Sequence, residues 1–173
     1  LMSLMSPITG RLFDKYGSRV LAIIGLTITV ITTFLLSKLT LTSGFYYIMF
    51  LFTIRMLGMS LTMMPVMTNG LNQLPMSQNP HGTAMNNTLQ QISGAIGSAV
   101  LITVMNGRME SSANSLLKAA GSYTEEEVTQ ISMLDGVNYA FFISTLIATT
   151  ALFLAFFIRR VDPNESKLNE DKI

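Results

Sequence analysis

Arg55 is the residue of this 173-residue chain that most calls for a chemical explanation. It stands about nine residues inside the apolar run from Tyr46 to Val66. At about 1.5 Å of rise per residue, that places it roughly 14 Å along a helix. An arginine at the centre of a bilayer costs about 2.5–3.5 kcal/mol on insertion scales. Such a charge needs a wet cavity, a partner, or a route along the helix to the surface. The long apolar runs of this chain hold no Asp or Glu. A partner for Arg55 must then be a ligand, a backbone carbonyl or an acid of a larger protein.

A second group of polar residues is spread along the third apolar run. Asn86, Gln90, Ser93, Gly94, Gly97 and Ser98 recur at three- and four-residue steps. On a helix they make one stripe of amides and small side chains. Asn87 and Gln91 form a second pair one step round. Small residues let membrane helices approach closely, and amides hydrogen-bond across the contact. Gly94 and Gly97 are thus candidates for helix packing. Asn86, Gln90 and Gln91 are candidates either for packing or for lining a cavity. Met56, Met59, Met63, Met64 and Met67 crowd the run that carries Arg55. Flexible thioethers suit a surface that accepts ligands of varied shape, so Met59 and Met63 are further candidates. Lipid-facing or packing methionine is the plainer alternative.

Composition narrows the class. The chain is 49% hydrophobic and only 12% charged, about half the charge of an ordinary soluble domain. A net charge of +1 with scattered bases offers no surface for nucleic acid. With no Cys and a single His there is no disulfide framework and no metal site. A membrane-embedded enzyme needs clustered catalytic side chains at bilayer depth, and the spans offer none. The chain reads as a non-enzyme with no bound cofactor.

Runs long enough to cross a bilayer core of about 30 Å occur at 20–37, 46–66, 84–105 and 138–158. Residues 1–9 read as the end of a further spanning helix whose start lies outside this sequence. The fold class is all-α, a polytopic bundle of four full spans and a truncated one. Loop 10–19 carries Arg11, Lys15 and Arg19, and the tail 159–173 carries Arg159, Arg160, Lys167 and Lys172. The opposite side holds only Lys38, Arg108 and Lys118. The positive-inside rule then makes loop 10–19 and the C-terminus cytoplasmic. Segment 106–137 becomes an extracytoplasmic loop. Within it Thr124 and Glu127 have the spacing of a capping box. A short amphipathic helix on the outer face and a plain solvated connection both fit. Pro65, near the inner end of its run, reads as helix termination more readily than as a gate.

Loop 10–19 has more order than sidedness requires. Gly10 and Gly17 permit a tight reversal. Asp14 can pair with Arg11, Lys15 or Arg19, or sit at the positive end of the next helix. Gly10-x-x-x-Asp14-Lys15-x-Gly17-x-Arg19 resembles the loop signature of the major facilitator superfamily, departing from it at Ser18, where a base is usual. Within that superfamily the chain is similar to the fourteen-span drug/proton antiporters of the EmrB/QacA type. The segment Gln90 to Ala99 resembles the corresponding helix of those transporters. Arg55 with Gly58 is a weaker likeness to an R-x-x-x-G segment of the superfamily. The resemblance implies the C-terminal part of a multi-pass plasma-membrane exporter of amphipathic compounds, driven by the proton gradient. It makes loop 10–19 a conformational latch and the missing N-terminal part a partner. A narrower-substrate transporter and a non-transporting membrane scaffold are the alternatives.

Overall fold

A computed structural model describes residues 2–118 and 124–157, with side chains from Gly17 onward apart from Met76. Four helices form: α1 (Met2–Leu36), α2 (Phe45–Leu71), α3 (Asn79–Lys118) and α4 (Glu125–Ala155). A single 3₁₀ turn, Met76–Gln78, precedes α3. No strand occurs among the described residues. The Gly17–Leu36 part of α1 and each of the other three helices are long and apolar enough to cross a membrane. The architecture is an all-α transmembrane bundle.

Thr and Ser are poor helix formers in water, yet they are frequent here. Many of their hydroxyls are satisfied within the helix: Thr27 donates to the Ile23 carbonyl at 2.7 Å and Thr32 to that of Ile28 at 2.8 Å. Thr145 does the same to Phe141 at 2.8 Å. Such back-bonding keeps these three hydroxyls from facing hydrocarbon unpaired, whereas the hydroxyls of Thr33 and Ser132 are buried without a partner.

Packing fixes the order of the helices. α2 lies against α1, α1 also against α4, and α4 against α3. α2 and α3 are consecutive in the chain but touch little. Across the bundle the order is therefore α2, α1, α4, α3. α1 and α2 cross where Gly25 meets Gly58. A Cβ on Gly58 would lie 2.8 Å from the Gly25 carbonyl oxygen, and one on Gly25 would lie 2.5 Å from that of Gly58. α3 and α4 approach at Gly136, where a Cβ would lie 2.8 Å from the Met105 carbonyl oxygen.

Polar ties hold the ends. Ser18 Oγ donates to Asn69 Oδ1 at 3.1 Å, joining the start of the α1 span to the end of α2. At the other end, Asn138 Nδ2 donates to the Leu39 carbonyl at 2.7 Å and its Oδ1 accepts from the Leu39 N–H at 3.2 Å. One α4 side chain thereby fixes the α1–α2 connection.

The elements differ from expectation at their bounds. Segment 10–19 is helical apart from one break: α1 runs through it and is interrupted at Gly17, with φ 80° and ψ 165°. That backbone conformation suits glycine alone, so a single residue does the work assigned to a loop. Pro65 does not end α2, which continues to Leu71. Its ring is buried among the helices, where packing offsets the lost backbone bond. Segment 106–137 is mostly helix, because α3 runs on to Lys118 and α4 starts at Glu125. Forty residues of α3 reach about 60 Å, twice the hydrocarbon thickness. The α3–α4 hairpin therefore projects beyond the membrane. There Arg108 Nε pairs with Asp135 Oδ2 at 2.9 Å, and the Arg108 guanidinium lies over the Tyr139 ring at 5.6 Å. The Thr124–Glu127 capping box is formed, but it starts α4 instead of a separate surface helix. The tail 159–173 and the end of the last expected span lie outside the described residues.

Candidate functional site

α2 is divided lengthwise by what its faces meet. Leu51, Gly58, Pro65 and Asn69 are buried, with Gly58 seated on α1. Arg55, Met59, Thr62, Met63 and Val66 fall on an adjoining stripe at helical steps. Arg55 is half-buried on this stripe, and its Nε is shielded with no hydrogen-bond partner. Its guanidinium carbon lies 5.9 Å from the ring centres of both Phe52 of α2 and Phe141 of α4. The two rings meet edge-on at 6.4 Å. A cation between aromatic faces is held by their quadrupoles, and no acid among the described side chains pairs with it. The acids among the described side chains, Glu110, Glu125, Glu126, Glu127 and Asp135, all lie toward the far end of the α3–α4 hairpin.

Because α2 leans on α1 and α3 on α4, the two diverge from the turn at residues 72–78. A cavity of about 600 Å³ opens between them. Its α2 wall is Thr62, Met63, Val66, Met67 and Gly70, and its α3 wall is Gly82, Met85, Asn86, Leu89 and Gln90. Leu74 closes the turn end: a Cβ on Gly82 would run into Leu74 Cδ1 and lie 3.2 Å from Leu71 Cδ2. Gln90 Nε2 is 3.8 Å from Met63 Sδ. Asn86 Nδ2 is shielded from solvent and has no hydrogen-bond partner. Among the described residues no ionisable side chain lines the space.

Of the residues predicted from sequence, Met63, Asn86 and Gln90 come together here. Met59 is half-buried higher on the α2 stripe, and Gln91 is exposed on α3; neither lines the cavity. Arg55 is not in its wall either, but stands seven residues along the stripe from Thr62. Gly94 and Gly97, predicted as packing residues, have nothing within 4 Å of an added Cβ. Among the described residues no helix packs against them, and no residue of α3 is buried. Gly17 lies at the break in α1 and Arg19 is exposed beside it. The side chains of Arg11, Asp14 and Lys15, and the surroundings of Gly10, lie outside the described residues.

Sequence reasoning missed the glycines that do pack. Gly25-x-x-x-Thr29 and Gly58-x-x-x-Thr62 are the same small-x-x-x-small pattern on consecutive spans. That repetition is the signal that could have found them.

Comparison with known sequences decides the family. The sequence model of the Major Facilitator Superfamily matches residues 1–98, more than half of the chain. The chain belongs to the Major Facilitator Superfamily. It is 38% identical to the MFS-type transporter YhcA of Bacillus subtilis, over 99% of this chain and 38% of that protein. It is 42% identical to the lincomycin resistance protein LmrB of Listeria monocytogenes, over 92% of this chain and 33% of that protein. LmrB of Bacillus subtilis is also 42% identical, over 93% of this chain and 33% of its own length. The chain thus spans about a third of the length of the curated relatives it matches. No solved structure matches it significantly. Membership in this superfamily agrees with the four helices long and apolar enough to cross a membrane, and makes the chain a multi-pass membrane segment.

Proposed function

We propose that the chain is part of a secondary active transporter that exports amphipathic compounds in exchange for protons. The amides of α3, two lining the α2–α3 cleft and one exposed beside it, carry this reading. Asn86, Gln90 and Gln91 lie on a helix able to span a membrane and with no buried residue. Carboxamides facing lipid are costly. They suit a second helical unit or a wet path between two units, such as alternating access uses. The remainder of a longer transporter, of the fourteen-span EmrB/QacA type, is the partner that fits this face.

In this reading the cytoplasmic side holds loop 10–19 and the C-terminus, and the protein resides in the cell membrane. Residues Gly10, Arg11, Asp14, Lys15, Gly17 and Arg19 act as the latch between helix ends. Arg55 presents its charge to the translocation path, and carboxylates of the remaining part carry the protons. The relatives named for lincomycin resistance support an amphipathic drug as cargo.

The test is accumulation of lincomycin and of fluorescent dyes in cells expressing the complete reading frame, with and without a protonophore. Lowered accumulation that the protonophore restores is the expected result. Accumulation unchanged for every compound refutes export and moves the reading to a narrow-substrate transporter or a scaffold.

A further inference from the structure

We infer that the α2–α3 cavity is a ligand site for neutral amphipathic molecules that carry a hydrogen-bond acceptor, and that it does not select cations. The inference deepens the proposed export function by naming a substrate class and the residue that recognises it. At about 600 Å³ the space has the size of a small-molecule site. Its walls are mostly Met, Leu and Val, which adapt to apolar bodies of different shape.

The polar groups decide the rest. The Thr62 hydroxyl is spent on the Gly58 carbonyl at 3.0 Å. The Gln90 amide nitrogen meets only a thioether, at 3.8 Å. Asn86 Nδ2 is buried and meets nothing. A shielded donor without a partner is costly, and a ligand carbonyl, ether or hydroxyl oxygen removes that cost. A cation finds no acid in these walls, only the neutral amide oxygens of Gln73, Asn86 and Gln90, which compensate lost hydration less well than a carboxylate. The charge of Arg55, on the same stripe of α2, further disfavours a positive ligand.

Purified full-length transporter and two dyes test this: Nile red, neutral with a carbonyl acceptor, and ethidium, a permanent cation. Asn86→Leu keeps the bulk of the side chain and removes the donor. It is expected to weaken Nile red binding about five- to tenfold and to leave the ethidium signal, bound elsewhere or absent, unchanged. Asn86→Asp is expected to weaken Nile red binding as well and to admit ethidium. Unchanged Nile red affinity in a monodisperse Asn86→Leu protein overturns the inference, as does an equal loss for both dyes.

A second variant does not depend on Asn86. Met67→Cys, in a full-length chain otherwise free of cysteine, is expected to react with a maleimide and to be protected by Nile red. No reaction without dye means that the remainder of the transporter fills the space, and reaction unaffected by dye means that the dye binds elsewhere; both overturn it. Binding to purified protein needs no proton coupling, so failure of the efflux test leaves this one standing.

Discussion

Replacing Gly58 or Gly25 by alanine tests the packing order directly. A Cβ on Gly58 meets the Gly25 carbonyl oxygen and Thr29 Oγ1 at 2.8 Å and Ile28 Cγ2 at 3.0 Å. A Cβ on Gly25 meets the Gly58 carbonyl oxygen at 2.5 Å and the Thr62 nitrogen at 3.0 Å. Thr29 Oγ1 belongs to a side chain and can turn away, but the carbonyl oxygens belong to helix backbone and cannot. To restore ordinary contact the two helices must separate by roughly 0.5–1 Å, with loss of dispersion contacts along the seam. Overpacking of this kind costs about 1–3 kcal/mol, Gly25→Ala the more because its contact is closer. The two sites share one contact, so the double variant should cost less than the sum of the singles. Once one methyl has parted the helices, the second finds room. The assay is thermal unfolding of the purified full-length transporter, with Gly44→Ala as control, since nothing lies within 4 Å of a Cβ there. Gly58→Ala melting with the wild type, or strictly additive singles, would refute the Gly25–Gly58 crossing.

Three further outcomes follow from the same structure. Arg55→Lys keeps the charge but loses the planar group held between Phe52 and Phe141. It should lower stability by about 0.5–2 kcal/mol and slow efflux, and Phe141→Leu should reproduce the stability loss in a melting curve. Asn138→Leu leaves both backbone groups of Leu39 without their side-chain partner. It should cost about 1–3 kcal/mol and raise hydrogen exchange in residues 37–44, which equal exchange in the two proteins would disprove. Glu127, in the projecting first turn of α4, accepts from the Thr124 backbone N–H and hydroxyl at 2.9 and 3.0 Å, the backbone bond being the larger cause of a carboxyl held below its usual range. Its contribution is complete above the unfolded pKa of about 4.3 and is lost as pH falls through the lowered folded value. Protection factors at the start of α4 should therefore hold from pH 7 to 5 and drop below about pH 4, and Glu127→Gln should flatten that drop.

The spans were legible because about twenty apolar residues without an acid admit few other structures. Their ends were not, because a helix outlasts the apolar run that reveals it. Asn106, Gly107 and Arg108 read as the start of a loop, yet Arg108 is tied to Asp135 on the neighbouring helix. Only the tertiary pairing of α3 with α4 supplies that acid. Loop 10–19 failed for the opposite reason: one glycine at positive φ suffices where a run of turn residues seemed necessary. The cavity was half legible. Amides and methionines in helical register marked Met63, Asn86 and Gln90, but helical register alone admits Met59 and Gln91 equally. What separates them is the direction in which α2 and α3 diverge, set by contacts that neither helix makes with the other.

That last point bears on how the site and the fold share the chain. The residues that bring helices together, Gly25, Gly58 and Gly136, concern the α1–α2 and α3–α4 seams, and the two pairs are joined through α1 and α4. The cavity lies on the outer partners, α2 and α3, whose separation is fixed from behind. Its walls therefore carry little of the packing that holds the bundle. They are free to hold an unpaired amide and loose thioethers that a stability-bearing seam would not tolerate. A rigid pair of seams behind a permissive cleft lets the lining vary among relatives without redesign of the bundle.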